Sequence, residues 1–512
     1  MRASILAAVI LSATSTLPSP VRAQLALSNF LEARIGRDPE DPFADPSRLS
    51  RFDQLNADYT RDALRLGFRF EGYIPSDRPD LDYALFVRRY AGWTTPHFAA
   101  LVGNYEAIFG RGLVLRAFEL PGVVREEFET PQFGDSRDLD GVRLEVHDDR
   151  WTVLALQGAP RRADQDPTVE RSGTVAGATG WFDLTPVARV GANYLRTDRR
   201  VMEPGATNEI AGPFLQLGFE PWLQRAGISR LDLDTYLEYA RVTGLTGIGS
   251  PNAPPNEGYG LYASQSLFLD EVLPGLRWGV SWEYKDYQNF ELGVNEPPTL
   301  VREHAFVLLN RSTHVLVPQQ EEGYQFETRF DYRQWADLVV NLSRAENFNS
   351  LRFEERYLET SGHWSGATLT LFADEQEDRF ESVGDRDTFG GYLQVPFLGA
   401  HSLELQAETQ ETEIVAGNIR ASYGDRYWSL TYGWAGRLSL GGVRQTTNDP
   451  DEVADPNERR AYDSLTARVP LGRHHEVQAT WGRTRGGLAC VAGTCYKVRG
   501  FDGVSARLTS RF

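Results

Sequence analysis

Eight histidines are the residues best able to bind a metal ion or to act in acid–base catalysis. None has the H-E-x-x-H or H-x-x-x-H spacing that places two imidazoles on one face of a helix. Most lie at predicted turns, where a solvated imidazole is the simpler interpretation. The sequence therefore predicts no metal site and no bound cofactor. The histidines are His97, His147, His304, His314, His363, His401, His474 and His475.

Motifs for nucleotide binding and for hydrolysis are equally weak. Gly110-Arg111-Gly112 lacks the third glycine and the following helix of a dinucleotide-binding loop. No G-x-S-x-G nucleophile elbow occurs. We therefore expect a protein that is not an enzyme. A lipase-like pair of Ser and His on a sheet wall stays open as an alternative.

The N-terminus has the pattern of a secretory signal peptide. Arg2 supplies a positive charge, residues 5–13 form an apolar run, and Val21-Arg22-Ala23 resembles a cleavage site. This interpretation divides the chain into a signal peptide, residues 1–23, and one barrel domain, residues 24–512. The alternative for the first segment is a disordered N-terminus.

The composition limits the class of protein. The formal charge of −18 becomes −20 without Arg2 and Arg22, which argues against a nucleic-acid partner. No apolar stretch of about 18 residues follows the leader, so no transmembrane helix is expected. Aromatic residues nevertheless make up 12% of an exported chain, which favours a transmembrane β-barrel. In an oxidising compartment, Cys490 and Cys495 are suited to a small disulfide loop.

The elements that position the polar residues are two-faced strands. In residues 504–512, apolar or small residues alternate with polar and cationic ones, and the same alternation occurs in residues 63–73, 230–240 and 276–285. Because an Arg or Lys at the lipid mid-plane costs about 2–4 kcal/mol, the charged face is expected to line the lumen. The alternative is a sandwich or a soluble barrel with its apolar face inward. The predicted lumen-lining residues are Arg65, Arg69, Glu71, Asp232, Asp234, Glu238, Glu404, Glu408, Arg507 and Arg511.

The lumen residues carry both signs of charge. Mixed charges disfavour strong ion selectivity, but they could cross-brace the wall and tether loops that fold inward.

Short turns alternate with long polar connections along the chain, as at the two rims of an outer-membrane barrel. The strand count is 24, with 22 to 26 allowed, so the fold class is all-β, a single large antiparallel transmembrane β-barrel. Seven tryptophans fall at the predicted short turns, which is typical of an interfacial aromatic girdle. No plug domain precedes the first strand, which argues against a TonB-dependent receptor. These tryptophans are Trp93, Trp151, Trp181, Trp222, Trp335, Trp364 and Trp434.

Two stretches break the pattern of strand, turn and strand: residues 102–141 and residues 289–325. A barrel of 24 tilted strands is roughly 45–50 Å wide, and an open lumen of that width would defeat the membrane as a barrier. We therefore expect both stretches to fold into the lumen. The alternative is that they extend strands above the membrane.

The same two stretches carry a family resemblance. The runs GNYEAIFGRGLVLRAFE and NEPPTL, with LLNR and EEGYQ following, resemble the signatures of an uncharacterised family of bacterial outer-membrane proteins. The resemblance implies an outer-membrane β-barrel and supplies no activity. Phe512 is similar to the end signal that barrel-assembly machinery reads. The signature residues are Gly103, Asn104, Phe109, Gly110, Gly112, Arg116, Glu119, Pro297, Pro298, Asn310 and Arg311.

We expect a passive, porin-like channel in the bacterial outer membrane, with a lumen constricted by loops and a small solute as cargo. The alternative is a non-conducting barrel that partners an exported protein complex or a surface polymer. The expected surroundings are the lipid bilayer and lipopolysaccharide. Two acidic stretches, residues 36–46 and 448–456, could meet lipopolysaccharide through Ca²⁺, but they lack the calcium-loop spacing, and solvated loops are favoured.

Overall fold

The structure is a computed structural model, and the predicted leader, apart from Ala23, lies outside the residues that it describes. Most of the acidic stretch 36–46 lies outside them as well. The described residues are 23–37, 49–75, 82–119, 128–129, 136–162, 173–198, 208–228, 230–245, 256–290, 294–315, 320–416, 419–453, 455, 457–491 and 494–512.

The wall of the molecule is one closed antiparallel sheet of 24 strands. Its strands are β1 (Ala23–Arg37), β2 (Leu49–Arg61), β3 (Leu64–Pro75), β4 (Tyr83–Thr94), β5 (Phe98–Tyr105), β9 (Ser136–His147), β10 (Trp151–Arg162), β11 (Thr174–Thr185), β12 (Ala188–Asp198), β13 (Asn208–Gly218), β14 (Leu231–Leu245), β15 (Asn256–Leu273), β16 (Leu276–Gln288), β17 (Gln320–Tyr332), β18 (Ala336–Glu346), β19 (Arg352–Trp364), β20 (Ala367–Asp378), β21 (Val383–Phe397), β22 (His401–Ala416), β23 (Ile419–Trp434), β24 (Leu438–Thr447), β25 (Arg460–Leu471), β26 (His475–Thr484) and β29 (Phe501–Arg511).

Five short strands and two short helices complete the described elements. They are β6 (Ala107–Phe109), β7 (Leu115–Ala117), β8 (Phe128–Glu129), β27 (Gly487–Val491), β28 (Thr494–Val498), α1 (Glu220–Arg225) and α2 (Val307–Arg311). The short strands do not interrupt the wall, because β5 pairs with β9 and β26 pairs with β29. No helix in the described part of the chain is long and apolar enough to cross a membrane.

The barrel closes where its first and last strands meet. β1 pairs with β29 from Ser28 opposite Arg511 to Arg37 opposite Asp502. The backbone of Phe512 extends this ladder, since it exchanges hydrogen bonds with Leu27 at 2.8 and 3.2 Å. The prediction of a single all-β barrel with 24 antiparallel strands is therefore confirmed.

The two rims differ in the length of their connections. Turns such as residues 62–63, 186–187 and 274–275 form a short-turn rim, and α1 lies in one connection of that rim. The opposite, long-loop rim carries the two stretches that break the strand pattern.

Most of the tryptophans predicted to lie at the short turns are exposed there. Trp181 is an exception to the predicted outward girdle, because it packs inside the barrel against the cluster around Phe214 and Tyr236. The exposed tryptophans are Trp93, Trp151, Trp222, Trp335 and Trp364.

Strand alternation places apolar side chains outside, as at Leu66 (40% exposed), Val504 (48%) and Leu430 (51%). The expectation that the inner face is polar and charged holds for only part of the wall. On β10 to β14 the inward residues Leu154, Val175 and Ile210 are buried and apolar. They are covered from inside, so an apolar inner wall can exist there without contact with water.

Candidate functional site: three segments folded into the barrel

Three parts of the long-loop rim fold inward, and the middle one contacts both of the others inside the wall. We call them segment A (residues 106–119), segment B (residues 294–315) and hairpin C (residues 487–491 and 494–498). Segments A and B lie within the two stretches expected to fold into the lumen, whereas hairpin C was expected only as a small disulfide loop.

Segment A is a β-hairpin, β6 paired with β7, that packs on the apolar part of the wall. Phe109, Leu113, Val114 and Leu115 are completely buried. They belong to the largest apolar cluster of the described residues, which also includes the wall residues Leu154, Leu156, Val175, Leu195, Ile210, Ala240 and Val242. Apolar burial of this kind stabilises segment A in the same way as a globular core.

The tip of segment A is fixed by a carboxylate of the wall. Glu238 on β14 accepts hydrogen bonds from the backbone N–H of Arg111 (3.0 Å), the side chain of Asn193 (2.8 Å) and the hydroxyl of Tyr236 (2.8 Å). Gly110 has φ +60°, and a Cβ there would lie 2.2 Å from the Glu238 carboxylate. Glycine is therefore strongly favoured at this position, which is one of the predicted signature residues.

The end of segment A is held by an arginine of β3. Arg69 pairs with Glu119 through two N–H groups, one of them at 2.8 Å, and also donates to Asn56. Arg161 adds a further cation at 3.7 Å from Glu119 while it pairs with Asp138 at 2.7 Å. The end of segment A is thus held by ion pairs, whereas the rest of segment A is held by apolar packing.

Segment A and segment B meet through residues of both predicted signatures. Arg116 pairs with Glu296 at 2.9 Å, and the backbone N–H of Glu296 donates to Gly112 O at 3.2 Å. Asn295 donates to Leu113 O at 3.2 Å. Pro298, which follows this junction, accepts a hydrogen bond from the Tyr287 hydroxyl at 3.1 Å.

Segment B then runs along the inner faces of β17 to β24. Glu408 on β22 accepts the backbone N–H groups of Val307 (2.9 Å) and Leu308 (2.8 Å), which begin α2. Phe306 packs on Phe372, with ring centroids 3.9 Å apart. These contacts place a wall carboxylate where α2 has free N–H groups.

A chain of four buried charged groups holds the far end of segment B. Lys285 of β16 pairs with Glu321 of β17, Glu321 lies 3.5 Å from His314, and His314 is 2.9 Å from Asp378 of β20. Burial opposes protonation of His314, but the hydrogen bond to Asp378 and the negative charges of Glu321 and Asp378 outweigh it and raise its pKa to about 9. His314 is therefore a cation at neutral pH.

Hairpin C contains the disulfide between Cys490 and Cys495 that the sequence predicts. Asn310 of segment B donates to Cys490 O at 3.1 Å and accepts from Cys490 N at 2.8 Å, so its amide mimics a strand partner. Arg311 donates to Arg485 O at 3.1 Å. The backbone of β28 also pairs with β8, which follows segment A in the chain.

Segment B thus contacts both segment A and hairpin C inside the wall, and hairpin C also pairs with β8. Sequence reasoning missed the part played by hairpin C, because the spacing of two cysteines carries no signal for the direction in which their loop folds.

The remaining predicted residues have local roles. Glu71 accepts from Gln54 at 2.9 Å, and Asn104 donates to Asp138 at 3.2 Å. Gly103 has φ +100°, and a Cβ there would meet Arg89 O at 2.2 Å. Pro297 lies between Glu296 and Pro298, and the two prolines restrict the backbone at the start of segment B. In the described residues, six predicted lumen residues make no hydrogen bond or ion pair with the three segments: Arg65, Asp232, Asp234, Glu404, Arg507 and Arg511.

A cavity of about 660 Å³ remains between segment B, hairpin C and the wall. Charged residues of both signs line it, including Arg311, Arg386, Arg485, Asp425 and Glu452. Within the described residues, no group of His, Cys, Asp and Glu is arranged to hold a metal ion.

A closed wall of 24 strands, with connections from one rim folded inside, defines a large β-barrel with an internal plug. The chain belongs to the Family of unknown function (DUF6029), whose model matches residues 37–374. This match agrees with the resemblance to an uncharacterised family. None of the curated proteins compared with the chain matches it.

Several solved structures are similar to this chain. The translocation pore of the P pilus usher PapC has 9% identity and a TM-score of 0.46, over 95% of this chain and 99% of that chain. The siderophore receptor PirA from Pseudomonas aeruginosa has 9% identity and a TM-score of 0.46, over 97% of this chain and 81% of that chain. The strand pairing of the chain itself shows that the protein is a large β-barrel.

Proposed function

We propose that the protein is a channel of the bacterial outer membrane that passes small hydrophilic solutes through a lumen narrowed by segments A and B and hairpin C. The location is supported by the exposed apolar side chains outside the wall, such as Leu66 and Leu430, and by exposed tryptophans at the short-turn rim.

One observation carries the channel function: the inner face is divided into an apolar and a polar part. Segment A covers the apolar part, whereas β17 to β24 present polar and charged residues, and β21, β22, β23 and β25 border the cavity of about 660 Å³. A barrel that served only as an anchor would gain stability from a fully apolar filling, because buried polar groups are costly. The polar part is therefore the better candidate for a solute path.

Single-channel recording in planar bilayers tests the proposal. We expect small or infrequent current steps from the purified protein, and larger steps after replacement of residues 296–317 by a short glycine–serine linker. Replacement of residues 347–351, the turn between β18 and β19, is a matched control that leaves the three segments in place. Cell fractionation tests the location.

The absence of current from both the native protein and the variant without residues 296–317 would contradict the channel. That result would favour a non-conducting barrel that partners an exported complex or a surface polymer. The apolar cluster around segment A is the observation in favour of this second candidate, because it shows that one side of the interior is filled as in a core.

A further inference from the structure

Segment B covers a part of the wall in which many buried polar atoms lack a hydrogen-bond partner. Nine buried polar atoms of segment B and the wall beneath it have no hydrogen-bond partner among the described residues: Arg302 Nε, His304 Nδ1, His314 Nε2, Asn341 Nδ2, Glu355 Oε2, both carboxylate oxygens of Asp374, Arg386 Nε and Thr412 Oγ1. Buried polar groups in native proteins are normally satisfied. Around segment A, atoms of this kind are limited to Arg88 Nε and Tyr105 Oη within the described chain.

The wall residues with unpaired atoms lie on the neighbouring strands β18 to β22 and form one continuous patch. Asn341 is opposite Tyr357, Tyr357 is opposite Asp374, and Gln376, two residues beyond Asp374, is opposite Arg386. Asp374 is 3% exposed, with Glu355 as a nearby negative charge and Arg386 as a nearby positive one. Water or ions would satisfy this patch better than the covering segment does.

The attachments of the two segments differ in kind. Segment B is held chiefly by hydrogen bonds and ion pairs, such as those of Glu408 and His314, with a small apolar cluster around Phe306. Such contacts exchange readily for contacts with water, whereas removal of segment A would expose an apolar wall.

The backbone shows where segment B could pivot. Pro297 and Pro298 stiffen the chain directly after the junction with segment A. Leu300 follows with φ +57°, a left-handed conformation that is strained for a bulky residue. The part beyond this point, residues 301–315, carries the attachments to β19, β20 and β22.

We infer that residues 301–315 of segment B are the movable gate of the channel, while segment A stays docked, and that the wall patch of Asn341, Glu355, Asp374 and Arg386 lines the opened path. Because two of its three charged residues are acidic, the opened path favours cationic and neutral polar solutes over anions. This inference rests on the proposed channel function and names its moving part and its lining.

Hydrogen exchange followed by mass spectrometry tests the motion without any need for current. Peptides within residues 304–312 should exchange at least about tenfold faster than peptides within residues 107–117, because local opening exposes amides in proportion to its population. Equal or slower exchange in residues 304–312 would overturn the inference, whatever the channel recordings show.

A substitution at the patch gives a sharper test. Asp374→Leu removes two unpaired oxygens and should slow exchange in residues 304–312 severalfold, which is the opposite of the usual effect of a buried substitution. Asp374→Asn, which removes only the charge, should act in the same direction if the leucine variant folds poorly. Asp463→Asn, at an exposed position on β25, is the matched control and should leave exchange in residues 304–312 unchanged. Faster exchange in both Asp374 variants would contradict the inference that the unpaired oxygens of Asp374 weaken the docking of segment B.

Reversal potentials in a KCl gradient test the lining. The native channel should favour K⁺ over Cl⁻, and Asp374→Asn should reduce that preference by about twofold or more. A preference unchanged by Asp374→Asn would exclude the patch from the path. If exchange is fast in segment B but no variant conducts, the channel function fails while the mobility of the segment stands.

Discussion

Glu408 shows how a single wall residue can hold a segment inside the barrel. Its carboxylate accepts both N–H groups at the start of α2, and Gln406 also donates to it at 2.6 Å. We expect Glu408→Gln to weaken the docking of segment B by about 1–3 kcal/mol, because the charged acceptor is lost. Trypsin cleavage after Arg302 and Arg311 in the folded barrel measures this docking.

Glu404 provides the control on the same strand and the same face. It accepts a hydrogen bond from Gln394 at 3.3 Å and makes none to the three segments within the described residues. Glu404→Gln should leave cleavage unchanged. Equal effects of the two substitutions would mean that Glu408 acts only through general stability of the wall.

His314 makes the docking of segment B depend on pH. Its pKa is raised from 6.5 to about 9 by Asp378 and Glu321 despite its burial. The protonated form is favoured in the docked state, so its stabilising effect is complete below about pH 6.5 and is lost as the pH rises through 9. We expect cleavage after Arg311 to accelerate between these values.

His314→Gln should remove most of that pH dependence and leave docking weak throughout. His363 serves as the control, because it pairs with Asp337 at 3.1 Å and lies at the end of β19 toward the short-turn rim. A His363→Gln variant that flattens the profile equally would assign the titration to another group.

The sequence could place these residues on the inner face but could not name their partners. Period-2 alternation predicts that Arg69, Glu238 and Glu408 point inward. Their partners in segments A and B are up to 127 residues away in the chain, and several are backbone N–H groups that no residue type identifies. Alternation carries no information on contacts of that range.

At the scale of secondary-structure elements, hairpin C and segment B are joined directly and are expected to be held or released together. The amide of Asn310 joins them through two hydrogen bonds to Cys490, and the disulfide fixes the strand that presents this backbone. We expect Asn310→Ala to increase trypsin cleavage after Arg311, by an amount that corresponds to about 1–2 kcal/mol for the lost pair of hydrogen bonds.

A double-mutant cycle tests whether the disulfide acts through the same contact. The combined substitution Cys490→Ser and Cys495→Ser should also loosen segment B, and its effect should be smaller when Asn310 is already alanine. Fully additive effects would show that the disulfide stabilises the loop without acting on segment B.

The inward course of hairpin C was beyond sequence reasoning for a physical reason. Its strands are only five residues each, and the same pattern suits a loop exposed above the rim. Its position is decided by Asn310, 180 residues away in the chain, and by the backbone of β8. Segments A and B were more predictable, because a wide lumen requires some filling.

At the scale of the whole molecule, the last strand seals the wall. We expect Phe512→Ala to lower the amount of barrel assembled in cells, since the terminal aromatic residue is proposed as a signal for the assembly machinery. The loss should be absent when the purified chain is refolded in detergent, where no machinery takes part. Heat-modifiable migration on gels measures both.

Phe397→Ala is a suitable control, because Phe397 is also an aromatic residue at the end of a strand at the short-turn rim, and it is 39% exposed. A similar loss of assembled barrel from both substitutions would point to a general need for aromatic residues at the rim.

The overall architecture followed from the sequence because a repeated period of two residues, short turns and long loops all indicate the same barrel. The apolar inner wall was the main error. On β10, Val153 faces out and Leu154 faces in, so the strand is apolar on both sides and alternation cannot tell its faces apart. Only the contacts with segment A show that the face with Leu154 is the inner one.

Strands with two apolar faces are also a hazard before assembly. Residues 151–156 of β10 include Trp151, Val153, Leu154 and Leu156 and no charge, the kind of window that pairs with other copies in water and aggregates. Segment A precedes β10 in the chain, so the residues that shield its inner face have already emerged when β10 does. Contact between segment A and β10 before the barrel closes would therefore lower the tendency of β10 to aggregate.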